Sequence, residues 1–233
     1  AVPWLSNSDH KKMKQSLQDK VSLYRLLGQE GALPSESRII SNADELKENF
    51  LYKSGRSSSG MGHFVYPLHR EKIKKMIDHE SYLIEEPIRN RVLDFSTLIQ
   101  NDEILLQYQN YVDRNFQYKG TLIGLKPSLT DKHEKILLKY ISLIRKASGH
   151  YNGIYSIDSY LYIKNGEVKI FPICEVNMRA TMGYIAYQLK RKFAPSYKLA
   201  KFTIKKQNKS LSRRGGNYIM LSPSDTKFST YLI

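Results

Sequence analysis

Hydrophobic residues recur along this chain in two rhythms, and the rhythm separates its helices from its strands. Over 131–148, Ile136, Leu137, Tyr140, Ile141, Leu143 and Ile144 return at three- and four-residue steps, with basic residues largely between them. That spacing predicts an amphipathic helix. Segments 9–27, 43–49, 70–79 and 183–193 are also read as helices. Short apolar runs, several rich in Val, Ile, Tyr and Phe, predict strands at 37–41, 50–53, 63–66, 82–86, 92–99, 103–112, 116–124, 154–163 and 167–175. A last strand pair is expected at 218–221 and 228–233. Between 154–163 and 167–175 stands Asn165-Gly166, which supplies the positive φ angles of a tight turn and makes that pair a hairpin. Long antiparallel runs with inserted helices predict an α+β chain of two lobes that clamp a ligand between sheets.

The hairpin carries hard oxygen ligands. Glu175 and Asn177 lie two apart, so on an extended backbone both point to one face, with Arg179 following on that side. Asp158 sits at the centre of the partner strand. An Asp and a Glu on neighbouring strands are usually surface side chains, and for Asp158 alone that reading stands. The combination changes it, because Glu175 follows the apolar run Ile170-Phe-Pro-Ile-Cys174. Charge at the end of a buried strand needs a compensating partner. Two carboxylates and an amide oxygen suit Mg²⁺, which takes few protein oxygens and completes its shell with water and phosphate. They do not suit zinc or iron, which favour His or Cys.

Two further segments carry chemistry. Phe50-Leu-Tyr-Lys53 ends a short apolar strand in a lysine, and Ser54-Gly-Arg-Ser-Ser-Ser-Gly-Met-Gly62 follows. Small residues offer bare backbone N–H groups and hydroxyls to phosphate oxygens, and the lysine adds a point charge. Taken alone, such a loop is better read as a plain, flexible hairpin connection; the lysine before it and the strand at 63–66 after it shift the reading towards nucleotide binding. No Gly-Lys-Ser/Thr closes it, so it is not a Walker phosphate loop. Tyr82-Leu-Ile-Glu-Glu-Pro-Ile88 is an apolar strand stopped by Pro87. Backbone groups freed there can bond the edge of an adenine with Ile88 on the ring, or simply form a turn beside two exposed glutamates.

In this order, the three segments resemble the ATP-grasp superfamily from about Asp19 to about Arg191. Asp19-Lys20, Leu27-Gly-Gln-Glu-Gly31 and Leu33-Pro34 are similar to the entry of the ATP-grasp domain in D-alanine–D-alanine ligases. The Glu175-x-Asn177-x-Arg179 form is similar to that of carbamoyl phosphate synthetases, biotin carboxylases and some peptide ligases. The resemblance implies ATP and Mg²⁺ as cofactors. Lys20 and Lys53 become phosphate lysines, and Ser57, Ser58, Ser59, Gly60 and Gly62 form a flexible flap over the phosphates. Glu85, Glu86 and Ile88 fall at the adenine hinge, Asp94 near the ribose-binding acid, and Cys174 at a position touching adenine. Asp158, Glu175 and Asn177 would hold two Mg²⁺, and Arg179 would stabilise an acyl phosphate or its tetrahedral successor. The implied activity is a carboxylate–amine or carboxylate–thiol ligase with an acyl-phosphate intermediate. An ATP-grasp kinase would use the same metal set. The expected organisation is a linker or remnant at 1–18, a small lobe at 19–88, a large lobe with the metal site at 89–206, and a polar loop with terminal strands at 207–233. The family places a separate domain ahead of the Asp-Lys helix, so a fragment lacking that domain is expected.

Composition narrows the alternatives. A chain of 233 residues can bury a sizeable core. No apolar run approaches the ~20 residues of a membrane-spanning helix. One cysteine excludes an internal disulfide and is compatible with a reducing cytoplasm. The net charge of +15 would suit a basic, non-catalytic module that binds nucleic acid or another polyanion. That rival leaves Asp158, Glu175, Asn177 and Arg179 without a purpose, and the spread of lysines over helix faces favours solvated surface instead. The expected partners are small-molecule carboxylate and amine substrates, with no membrane; nucleic acid is disfavoured and a homodimer is allowed.

Overall fold

The computed structural model describes residues 16–33, 36–55, 62–80, 82–87, 90–113, 117–149, 151–196, 198–206, 219–220 and 228–232. Helix α1 (Lys20–Gln29) is capped by Asp19, whose carboxylate accepts from the Ser22 N–H at 2.8 Å. The cap also breaks the expected helix: residues 16–18 are helical, and α1 starts afresh at Lys20. Four strands follow with one helix between them: β1 (Arg38–Ile40), β2 (Phe50–Ser54), β3 (His63–Val65), α2 (Arg70–Glu80) and β4 (Leu83–Pro87). They form an antiparallel sheet in the order β1-β4-β2-β3. The helix expected at 43–49 is a 3₁₀ turn over Ala43–Glu45. Asn42 and Glu45 cap each other's backbone there, and Leu46 returns to extended geometry.

The second sheet takes the rest of the chain: β5 (Asn90–Gln100), β6 (Glu103–Val112), β7 (Tyr118–Ile123), α3 (Asp131–Ala147), β8 (Ile154–Lys164), β9 (Glu167–Asn177), α4 (Met182–Phe193), β10 (Ala200–Lys206), β11 (Ile219–Met220) and β12 (Phe228–Leu232). Its order is β11-β12-β10-β7-β6-β5-β8-β9. Strand β10 was not expected from its sequence, where Phe202 and Ile204 alternate with Lys201, Thr203 and Lys205. Asn101 and Asp102 turn β5 into β6, and Asn165 and Gly166 turn β8 into β9, all four at positive φ. Two antiparallel sheets with helices on their faces make the chain α+β.

The helices divide the core. Helix α3 lays Leu137, Ile141 and Ile144 against Phe95, Ile99, Ile157 and Ile173 on one face of the large sheet, where Leu23 and Leu27 of α1 join them. Helix α4 covers the other face with Ala186 against Leu98, Tyr108 and Phe202. Helix α2 covers the small sheet with Ile73 and Ile77. Truncating Ile141, which is fully buried, to alanine removes packing worth about 2–5 kcal/mol. Helix α1 thus packs into the large lobe's core while Lys20, in its first turn, reaches the cleft between the sheets. No helix among the described residues is long and apolar enough to cross a membrane.

Candidate nucleotide and metal site

The α4 face of the large sheet is lined, beyond the helix's start, by polar residues instead of core. Asp158 is paired across the ladder with Glu175 on β9 and with Ser96 on β5. Ser96 Oγ donates to Asp158 Oδ1 at 2.6 Å, Asn110 donates to Ser96 at 2.7 Å, and Thr121 donates to Asn110 Oδ1 at 3.1 Å. The Tyr118 hydroxyl closes this chain at 2.6 Å from Thr121. Four strands therefore fix one carboxylate. On its other side Asn177 Nδ2 donates to Asp158 Oδ2 at 3.1 Å, while Asn177 Oδ1 accepts from Arg179 at 3.3 Å.

A local irregularity aims these groups. Between Asp158–Glu175 and Tyr160–Phe171 the register shifts, and β9 sets three residues, Pro172, Ile173 and Cys174, opposite the single Ser159. Pro172 offers no N–H to the ladder, and Ser159 Oγ donates to its carbonyl at 2.7 Å. Tyr160 stacks on Phe171 with centroids 4.7 Å apart. Arg91 lies 3.8 Å over the Tyr160 ring and pairs with Asp94 at 2.8 Å. Together these form an aromatic and cationic floor next to Cys174.

Two lysines reach the same place, one from the end of β2 and one from the start of α1. Lys53, at the end of β2, is buried and pairs with Glu86 of β4 at 2.7 Å. The Tyr24 hydroxyl donates to the second oxygen of Glu86. Burial alone would raise the Glu86 carboxyl, but Lys53, Arg91 and its two donors hold it below the ordinary range. Lys20, also buried, lies 3.4 Å from Glu175. Its backbone N–H donates to Gly55 at 2.9 Å, tying the helix start to the end of β2. Neighbours on β4 separate by strand parity: Glu86 faces α1 and Lys53, whereas Glu85 turns to the opposite face, held by Arg38 at 2.6 Å and Tyr52 at 2.8 Å.

The structure thus brings together Lys53, Asp94, Asp158, Cys174, Glu175, Asn177 and Arg179 around one cavity between the lobes, with Lys20 and Glu86 behind it, paired to Glu175 and Lys53. Gly62 follows it, accepting from the Ser54 N–H at 3.1 Å. Glu85 contributes no side chain to it. Ser57, Ser58, Ser59, Gly60 and Ile88 lie outside the described residues. Sequence reasoning missed Arg91, His63, Tyr108, Tyr118 and the Ser96–Asn110–Thr121 chain. Ser96 could have been found by parity, since it lies two residues from Asp94 on the same face of β5.

Asp158 is pushed up to about 7, first by burial and then by Glu175 beside it. Two adjacent carboxylates facing one buried lysine are a cation-seeking set. Among the described residues no group of three or more His, Cys, Asp or Glu is placed to hold a metal ion. The donors that do converge are all oxygen, which fits Mg²⁺ and not zinc.

No family model matches the chain, and no curated protein matches it by sequence. Solved structures do. An ATP-grasp superfamily protein from Archaeoglobus fulgidus is 15% identical, with a TM-score of 0.54 over 94% of this chain and 64% of its own. N5-carboxyaminoimidazole synthetase from Staphylococcus aureus, complexed with ADP, is 13% identical, with a TM-score of 0.65 over 94% and 68%. The chain has the ATP-grasp fold. An L-amino acid ligase from Bacillus licheniformis is 12% identical, with a TM-score of 0.61 over 94% and 67%. The chain spans about two-thirds of these ATP-grasp proteins.

Proposed function

We propose that this chain binds Mg-ATP between its two sheets and activates a substrate carboxylate for attack by an amine or thiol. The observation that carries this reading is the meeting of two buried lysines, one from β2 and one from α1, with Asp158, Glu175 and Asn177 on β8 and β9. Similarity to an ADP complex and to an L-amino acid ligase supports it at the level of the fold. Lys53, keeping Glu86 as its partner, and Lys20, 3.4 Å from Glu175, would present their remaining N–H groups to phosphate oxygens. Asp158, Glu175 and Asn177 would hold Mg²⁺, which supplies charge neutralisation on the triphosphate.

In the reaction so proposed, a carboxylate oxygen attacks the γ-phosphorus, the bond to the β-phosphate oxygen breaks, and ADP leaves. The acyl phosphate is then attacked at its carbonyl carbon by the amine or thiol, which loses a proton as inorganic phosphate departs. No protein nucleophile is needed, because positioning and electrostatic stabilisation carry the step. Arg179, which donates to Asn177 Oδ1, would stabilise the negative oxygen of the tetrahedral species. Asp94 and Arg91 would frame the nucleoside, with Cys174 beside it. Melting the protein with millimolar ATP and Mg²⁺ tests the reading. A rise of several degrees supports it, and no rise counts against it.

A further inference from the structure

His63 opens β3 directly opposite Lys53 in the β2–β3 ladder, and its imidazole lines the cavity between the lobes. Both ring nitrogens are buried, and neither has a hydrogen-bond partner among the described residues. A neutral imidazole carries one donor and one acceptor, and leaving such a group buried and unmatched costs stability. Its surroundings are cationic. Lys53 stands on the neighbouring strand, Lys20 on α1 and Arg91 on β5; burial first, and then these three charges, hold the ring neutral, its pKa pressed down to about 2. The nearby carboxylates are engaged elsewhere: Glu86 by Lys53, Glu175 by Lys20, Asp94 by Arg91, and Asp158 by Ser96 and Asn177. A directional N–H donor without charge, set among three cations, matches an anionic oxygen and little else.

We infer that His63 is a ligand of the nucleotide's phosphate chain, donating its ring N–H to a phosphate oxygen alongside Lys53. This rests on the ATP-binding reading and extends it to a residue beyond the glycine-rich loop. The neutral ring adds a positioned hydrogen bond where a fourth cation would raise the repulsion between Lys20, Lys53 and Arg91. Once a polyanion enters, its charge offsets that of the three cations, so the ring binds a proton more readily than before.

Calorimetric titration with Mg-ATP, ADP and adenosine, together with histidine NMR of the full chain, tests the inference. His63→Ala is expected to weaken Mg-ATP and ADP binding about tenfold, the scale of one phosphate hydrogen bond, and to leave adenosine binding unchanged. His63→Gln keeps a side-chain N–H donor and should recover most of the loss. In the parent, the ring resonances assigned through the Gln variant should stay neutral from pH 5 to 8, then shift on adding Mg-ATP but not adenosine. Unchanged Mg-ATP affinity in His63→Ala, or ring resonances that ignore Mg-ATP, would overturn the role of His63 while leaving the ATP site standing. A parent chain that binds no Mg-ATP would overturn both.

Discussion

Two buried ionic arrangements face each other across the cleft, and they are of opposite kinds. On the small-lobe side Lys53 and Glu86 neutralise one another, and Tyr24 satisfies the remaining carboxylate oxygen. On the large-lobe side Asp158 and Glu175 place two acids side by side, with Lys20 alone among the charged groups described as pairing with them. The first arrangement is complete as it stands. The second holds excess negative charge at the end of a buried strand, and Asp158 rises towards 7, first because it is buried and then because Glu175 stands beside it. A structural ion pair and a ligand-seeking acid pair are thus distinguishable within one cavity, by charge balance and not by burial.

The sharpest way to break the comparison is to unbalance the side that is balanced. Lys53→Met leaves Glu86 buried without its cation, and the expected loss of stability is about 3–5 kcal/mol by chemical denaturation. Adding Glu86→Gln should restore much of it, since the stranded charge is then gone. The same lysine carries ligand binding: Lys53→Ala should also weaken ATP binding by more than about 1.5 kcal/mol. A stability loss no larger in Lys53→Met than in the double variant would mean that the pair is not structurally coupled.

The opposite is expected where like charges meet. Asp158→Asn should stabilise the ligand-free protein at pH 8, on the order of 1–2 kcal/mol. The folded carboxyl binds its proton up to about pH 7, while the unfolded one releases it near 4. The folded state therefore holds more protons between those values, and the parent's stability falls as pH rises through that window. In Asp158→Asn that slope should disappear, and the advantage should vanish by pH 4. Denaturant melts at pH 4, 6 and 8 decide it; a destabilised variant at pH 8 would contradict the excess-charge account. The smallest effects belong to the surface. Lys139→Ala and Lys146→Ala, on α3 away from the cleft, should change ATP affinity by less than about 0.5 kcal/mol. Equal losses at Lys53 and at these positions would show that general positive charge governs binding.

Much of this was legible in the sequence because strand parity is strict. Asp158, Glu175 and Asn177 could be placed on one face from their spacing alone, and Asn165-Gly166 set the hairpin that joins them. The bulge at Pro172 did not disturb that assignment, because the shift of two residues preserves parity. Parity also shows where the reading was coarse, since Glu85 and Glu86 were taken together although successive strand residues face opposite ways. The chain Ser96–Asn110–Thr121–Tyr118 was invisible because its members come from three strands whose pairing depends on register. His63 was read as the resumption of a strand, and its surroundings emerge only once α1 and β5 bring Lys20 and Arg91 beside it. At Ala43–Glu45 the capping of Asn42 and Glu45 starts a helical turn, but Leu46 returns to extended backbone, so the turn stays a single 3₁₀ turn.

The central claim is that the acid pair and the lysines form one Mg-ATP site. Titration calorimetry of ATP into the parent and into Glu175→Gln, each with and without Mg²⁺, tests it most directly. The account predicts that Mg²⁺ strengthens ATP binding in the parent at least tenfold, and that Glu175→Gln removes most of this gain while keeping a cooperative fold. ATP binding that is absent at millimolar nucleotide, or equal in both proteins with and without Mg²⁺, would contradict it.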